Sequence, residues 1–102
     1  MRRKSRVDSN QPVIVTALRR VGATVTPTHM VGAGFPDIVC GFRGVTYTME
    51  IKDGALPPSA RKLTPDEARW HSMWAGHKCI VKSPEEALEA IGIRCGKGKE
   101  KP

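Results

Sequence analysis

Two apolar segments facing each other across Arg43-Gly44 constrain this chain more than any other feature. Residues 38–42 (Ile-Val-Cys-Gly-Phe) read as a strand, and residues 45–52 read as its returning partner. In the second segment Val45, Tyr47, Met49 and Ile51 alternate with Thr46, Thr48, Glu50 and Lys52, the period-2 pattern of a strand with two unlike faces. Arg43-Gly44 supplies the tight turn. The pairing places one face of each strand in a core and aims the other at whatever chemistry the chain performs.

The other elements arrange themselves around this hairpin. A helix is expected from Asn10 to Val21, with Val13, Ile14, Ala17, Leu18 and Val21 on its buried face. Ser9 or Asn10 can cap it, Pro12 is tolerated in its first turn, and Gly22 ends it. Ala23 to Thr28 forms a short strand, followed by the flexible Gly32 and Gly34. Asp53 to Leu63 is a Pro- and Gly-rich loop. Thr64-Pro65-Asp66-Glu67 and Ser83-Pro84-Glu85-Glu86 each announce a helix with a capping residue, a proline at the first position and a glutamate at the third, the pattern of a capping box. The first of these helices is expected to bury Trp70, Met73 and Trp74 and to stop near Gly76. The second is expected to bury Ala87, Leu88 and Ile91 and to stop near Gly92. Residues 78–82 between them read as a strand. The order is α-β-β-β-α-β-α: an α/β domain with a central mixed sheet of about four strands flanked by helices.

A chain of 102 residues holds one domain. Its bounds are expected at residues 8–95, with basic, mobile segments at 1–7 and 96–102. No apolar run approaches the ~18–20 residues of a membrane span. No apolar secretory core follows Met1-Arg2-Arg3-Lys4, so a cytoplasmic location is expected. Cys40, Cys79 and Cys95 are widely spaced and form no CxxC pair, which points to free thiols in a reducing compartment rather than structural zinc. The net charge of +7 suits a polyanionic partner such as nucleic acid. Seven of the cations lie in the two end segments, however, and without them and Glu100 ten cations face nine anions. Charge supports a nucleic-acid partner without establishing one.

The chemistry lies on the hairpin. Asp37 opens the first strand; Glu50 and Lys52 share a face of the second at ~7 Å spacing. Asp37 stands seven residues before Gly44 and Glu50 six after it, so the two carboxylates fall nearly opposite each other. A shared cation would hold both; without one, a carboxyl would keep its proton. Phosphodiester hydrolysis needs positive charge against an anionic transition state. Mg²⁺ held by one or two carboxylates supplies it, with the Ile51 carbonyl available as a further ligand. A lysine beside the metal orients or activates the attacking water, or neutralises developing charge. Arg61, Lys62 and Arg69 follow this strand, as phosphate contacts or as solvated surface. His29 and His71 read as structural, and the two tryptophans as core rather than a base-stacking platform. Ser9 and Ser59 lack the partners of a nucleophile.

Gly34-Phe35-Pro36-Asp37 followed by Glu50-Ile51-Lys52 resembles the PD-(D/E)xK nuclease superfamily, and more narrowly the small stand-alone VRR-NUC-type nucleases of phages and prophages. The resemblance extends through Asp8-Ser9-Asn10-Gln11 with Ala17-Leu18-Arg19 and through Leu63-Thr64-Pro65-Asp66-Glu67 with Trp70-His71, over roughly residues 8 to 92. It implies a restriction-endonuclease-like core and DNA hydrolysis with Mg²⁺ or Mn²⁺. Asp37 and Glu50 would bind the metal with the Ile51 carbonyl, and Lys52 would serve the water. It further implies a branched or structured DNA substrate, as for a Holliday-junction resolvase, and hence a homodimer. Many relatives carry a glutamate on the first helix, where this chain offers only Asp8 or Gln11. Some carry a glutamine on the helix after the motif, where Arg69 is the nearest candidate. The rival expectations are a non-catalytic nucleic-acid-binding module and a basic subunit of a phage DNA-processing assembly.

Overall fold

The computed structural model describes residues 9–94. The expectations for the segments 1–7 and 96–102, and for Asp8 and Cys95, fall outside the described residues. Within them the order is α1 (Gln11–Arg20), β1 (Thr24–Pro27), β2 (Ile38–Phe42), β3 (Val45–Ile51), a 3-10 turn (Pro58–Arg61), α2 (Pro65–Met73), β4 (Lys78–Val81) and α3 (Pro84–Ala90). The expected order is present, with one helical turn added inside the loop after β3. No helix among the described residues is long and apolar enough to cross a membrane.

The four strands form one mixed sheet in the order β1-β2-β3-β4. β1, β2 and β3 are antiparallel neighbours, and β4 joins β3 in parallel after the crossover through α2. The β2–β3 register is Ile38↔Met49, Cys40↔Tyr47 and Phe42↔Val45. Arg43 (φ 52°) and Gly44 (φ 82°) close it, both left-handed as a two-residue turn between right-twisted strands requires. Ile38, Cys40, Phe42, Met49, Ile51 and Val81 thereby share a face. With Ile14 and Leu18 of α1 and Ala87 and Ile91 of the α3 end, they make the core.

α1 and α3 cover that face, and the details of α1 differ from the periodicity reading. Its buried stripe is Gln11, Ile14, Val15 and Leu18, whereas Val13 and Val21 are exposed. The i, i+3, i+4, i+7 stripe includes a polar residue that a search for apolar positions passes over. Asn10 occupies the N-cap position but makes no side-chain cap. Its amide instead donates to the carbonyls of Lys52 (3.1 Å) and Lys82 (3.0 Å), tying the ends of β3 and β4 to the start of α1. α1 and α3 both end in paired 6→1 and 5→2 bonds. Ala23 and Gly22 donate to Leu18 and Arg19, and Ile93 and Gly92 to Leu88 and Glu89. A left-handed glycine one residue past each cap, Gly22 after Val21 and Gly92 after Ile91, makes this geometry possible.

α2 carries the expected reciprocal capping box between Thr64 and Glu67. The matching motif at α3 is only half formed. Ser83 accepts from the Glu86 amide, but the Glu86 carboxylate accepts from the amide of Lys82 rather than that of Ser83. The expectation that α2 buries Trp70, Met73 and Trp74 is not met: none of its residues is fully buried, and Met73 is 74% exposed. Its first turn is pinned instead by the glycine loop before β2. Gly34 (φ +83°) lies so close that an added Cβ would stand 2.2 Å from the Asp66 carbonyl oxygen, while at Gly44 a Cβ would meet open space.

This contrast yields a paired test. Gly34→Ala incurs both the left-handed cost and a backbone overlap, ~2–5 kcal/mol together. Gly44→Ala incurs only the first, about 1–2 kcal/mol. Urea unfolding of the two variants separates them, and equal losses would show that the loop does not grip α2 at Gly34.

Candidate active site

Register brings the hairpin carboxylates together. Extending Ile38↔Met49 by one residue sets Asp37 beside Glu50, on the sheet face opposite the core. Asp37 lies one residue before β2 rather than opening it, and its backbone is committed on both sides. Its amide donates to the Met49 carbonyl (3.0 Å) and its carbonyl accepts from the Thr28 amide (2.7 Å). Its carboxylate takes the place of a ladder carbonyl, with Oδ2 accepting from the Ile51 amide at 2.7 Å. The side chain is therefore fixed by β3 itself.

Glu50 is almost wholly buried, at 2% exposure. Lys52 follows on the same face, its Nζ 3.6 Å from Glu50 Oε2. A third carboxylate completes the cluster: Glu67 Oε1 lies 2.9 Å from Lys52 Nζ. The same oxygen accepts from the Thr64 amide at 2.8 Å, so the glutamate that closes the capping box also holds the lysine. Sequence reasoning gave Glu67 the first role alone. Nothing in the spacing signals the second role, because the long loop between β3 and α2 leaves open where the helix lands.

Charge crowding sets the protonation. Burial, then the nearby charges of Asp37 and Glu67, push the Glu50 carboxyl up to about 10 from an ordinary 4.5. Burial raises Asp37 as well, and the Ile51 amide partly offsets it. Burial also acts upward on Glu67, but hydrogen bonds from the Thr64 amide and from Lys52 outweigh it and hold this carboxyl below its usual value. Glu67 is thus the committed anion of the cluster, while Asp37 and Glu50 lack a counter-charge equal to both.

That shortfall is one that a bound cation would relieve. As an ionised carboxylate Glu50 has no donor aimed at its buried Oε1, and a buried carboxylate oxygen left so is costly unless something positive meets it. No three His, Cys, Asp or Glu side chains among the described residues converge as a complete ligand set. Two carboxylates and a backbone carbonyl suit Mg²⁺ or Mn²⁺, which retain water and bind substrate oxygens, better than they suit zinc.

The remaining candidates are dispersed. Lys62 is exposed, and Arg61 is half-buried in the 3-10 turn with its Nε buried and unpartnered. Arg69 is not the residue of α2 that reaches the cluster. It lies two positions past Glu67, ~200° around the helix, where it pairs with Asp66 at 3.5 Å. Gln11 is 5% exposed, with Oε1 buried and unpartnered. His29 is half-buried in the loop before the glycines. His71 packs edge-on against Trp70, its Nδ1 3.3 Å from the Glu67 carbonyl. Cys40 and Cys79 are free thiols.

With this geometry in hand, comparison with known proteins gives one firm result. The chain superposes on a solved VRR_NUC domain with a TM-score of 0.60, covering 79% of this chain and 88% of that domain, at 23% identity. No family model and no curated protein matches the sequence. The likeness shows the fold: that of a VRR_NUC domain.

The Glu50 environment predicts an unusual pH dependence. Metal-free folded protein keeps a proton on Glu50 that the unfolded chain releases above pH 4.5, so stability is lost progressively from there to about pH 10. Glu50→Gln removes that loss. In EDTA the variant melts above wild type at pH 8, by about 4–8 °C for each kcal/mol relieved, and the gap narrows toward pH 5. Millimolar Mg²⁺ raises the melting temperature of wild type and not of Glu50→Gln. A gap that does not vary with pH would remove the charge-crowding account.

Proposed function

We propose that this chain is a DNA endonuclease dependent on Mg²⁺ or Mn²⁺. The observation that carries the reading is the buried, unpartnered Glu50 oxygen, set beside Asp37 and flanked by the Lys52–Glu67 pair. Asp37 and Glu50 would hold the cation, with the Ile51 carbonyl as a further ligand. When bound there, such a cation would supply positive charge against the phosphate and lower the pKa of a coordinated water.

Each residue of the chain then has a task. Asp37 is held by the Ile51 amide at 2.7 Å, so its carboxylate would meet the cation without first reorganising. Lys52 directs its ammonium at the attacking water, orienting it, or neutralises charge developing on the phosphate oxygens. Glu67 is a positioning residue: it holds Lys52 Nζ from the first turn of α2 and touches no reacting atom. Arg61 and Lys62 contact phosphates of the bound strand.

Branched or structured DNA is the proposed substrate, because a domain this small has little surface with which to read sequence. Cutting both strands of a junction requires two such sites, which a homodimer provides.

Labelled four-way junction, flap, linear duplex and supercoiled plasmid test the reading in Mg²⁺, Mn²⁺, Ca²⁺ and EDTA. Wild type is expected to cut in Mg²⁺ or Mn²⁺ and to stop in EDTA. Glu50→Gln is expected to fall by about 10²–10³-fold or more, and Glu67→Gln by ~10–100-fold, as for other residues that orient a ligand-bearing group. Tight junction binding without cutting under any metal would overturn the enzyme reading in favour of a binding module.

A further inference from the structure

The helix that brings Glu67 to the carboxylates also carries an aromatic cluster that the core does not use. Trp70 and Trp74 stack on each other, 4.7 Å between ring centroids at 19°. Phe35 meets both edge-on, at 5.4 Å and 6.4 Å. Trp70 is half-buried, Trp74 is 39% exposed and Met73 is 74% exposed. Beside them lies an open cleft of about 290 Å³, lined by Ala33, Asp66, Arg69, Trp70, Met73 and Trp74.

Position ties this cleft to the cluster. Asp66 is the neighbour of Glu67, and Trp70 stands one turn further along α2, ~5 Å in axial rise. On the other wall Ala33 leads into Asp37 through Phe35, which packs edge-on against both indoles. The glycine loop and α2, which deliver Asp37 and Glu67 to the cluster, thus also supply the walls of the cleft.

We propose that the cleft between the glycine loop and α2 holds an unpaired nucleobase of the DNA strand being cut. The inference rests on the nuclease reading and narrows its substrate to DNA with an unstacked nucleotide beside the scissile phosphate. The chemistry of the walls selects this occupant. Exposed indoles offer a flat surface for stacking, which any base satisfies. At the rim the Arg69–Asp66 pair is well exposed, at 69% and 59%. Arg69 stacks on or donates to a base, and Asp66 accepts from a base N–H, whether an exocyclic amine or the ring N3–H of thymine. An aliphatic ligand would leave both unanswered. A base inside an intact duplex has no free ring face to present, so a plain duplex does not enter.

Trp70 and Trp74 are the only tryptophans in the chain, so tryptophan emission reports on this cleft directly. The full chain is titrated in EDTA with oligo-dT, with a duplex of equal charge, and with an oligonucleotide whose bases are removed at successive positions. Oligo-dT is expected to quench emission saturably, and the duplex and base-free strands to quench far less at equal occupancy. Met73→Glu, at an exposed position, and Trp74→Ala are each expected to weaken oligo-dT binding by ~10-fold while retaining a cooperative melt. Equal quenching by the base-free strand, or unchanged binding by Met73→Glu, overturns the proposal. So does an emission change that grows with protein concentration in the absence of DNA, which would assign the cleft to a second copy of the chain. Cleavage in Mg²⁺ is read separately. Cutting that survives both variants unaltered overturns the cleft and leaves the nuclease, whereas base-dependent quenching without cutting leaves the cleft and overturns the nuclease.

Discussion

The register of β2 against β3 is the constraint on which both core and site depend. Side chains alternate along a strand, so a slip of one residue would turn Met49 and Ile51 outward and drive Glu50 into the apolar layer with Ile14 and Leu18. Two devices hold the register at its two ends. At the turn, Arg43 and Gly44 accept left-handed backbone angles that close a two-residue loop. At the open end, the Asp37 carboxylate takes the Ile51 amide. The residue proposed as a metal ligand is thus also the last bond of the hairpin, and folding to this register delivers it in place.

The same end of the sheet is where stability is given up. Asp37, Glu50 and Glu67 crowd around the ammonium of Lys52, and burial holds the first two carboxyls above their normal values. A structure shaped for stability alone would avoid a buried, unpartnered oxygen such as Glu50 Oε1. Compensation comes from neighbours with no charge in the cluster. Asn10 ties β3 and β4 at their ends, and Gly34 permits the loop to seat against the first turn of α2. The loop carries Asp37 and the helix carries Glu67, so their contact at Gly34 keeps the two sides of the cluster in one rigid unit.

α2 is a working helix more than a structural one. Its first turn reaches the carboxylates and its later turns present Trp70, Met73 and Trp74 to an open cleft. That arrangement explains why reading the two tryptophans as core went astray. Spacing at i and i+4 reports that two residues share a helix face, and says nothing of whether anything covers that face. α1 and α3 are covered because the sheet lies beneath them; α2 crosses over the sheet's polar side, where Thr24, Thr26 and Thr46 offer no apolar layer to bury it. Val13 and Val21 of α1 fail for a related reason: the stripe that meets the sheet runs through Gln11, and only packing reveals a buried amide.

Local rules carried the rest. Alternation, turn residues and proline-led helix starts specify the order of elements, the hairpin and the meeting of Asp37 with Glu50 and Lys52, because each depends on residues close in the chain. The capping glutamates show the boundary of that reasoning: Thr64 and Glu67 form the full box their sequence implies, while Glu86 abandons it for the amide of Lys82. By itself, then, the sequence determined the fold class and three members of the cluster. Tertiary structure alone decided that Glu67 joins them, that Arg69 turns away, and that the indoles face a cleft instead of a core. Those outcomes depend on where a crossover helix lands on the sheet, a distance set by the packing of the whole chain rather than by spacing along it.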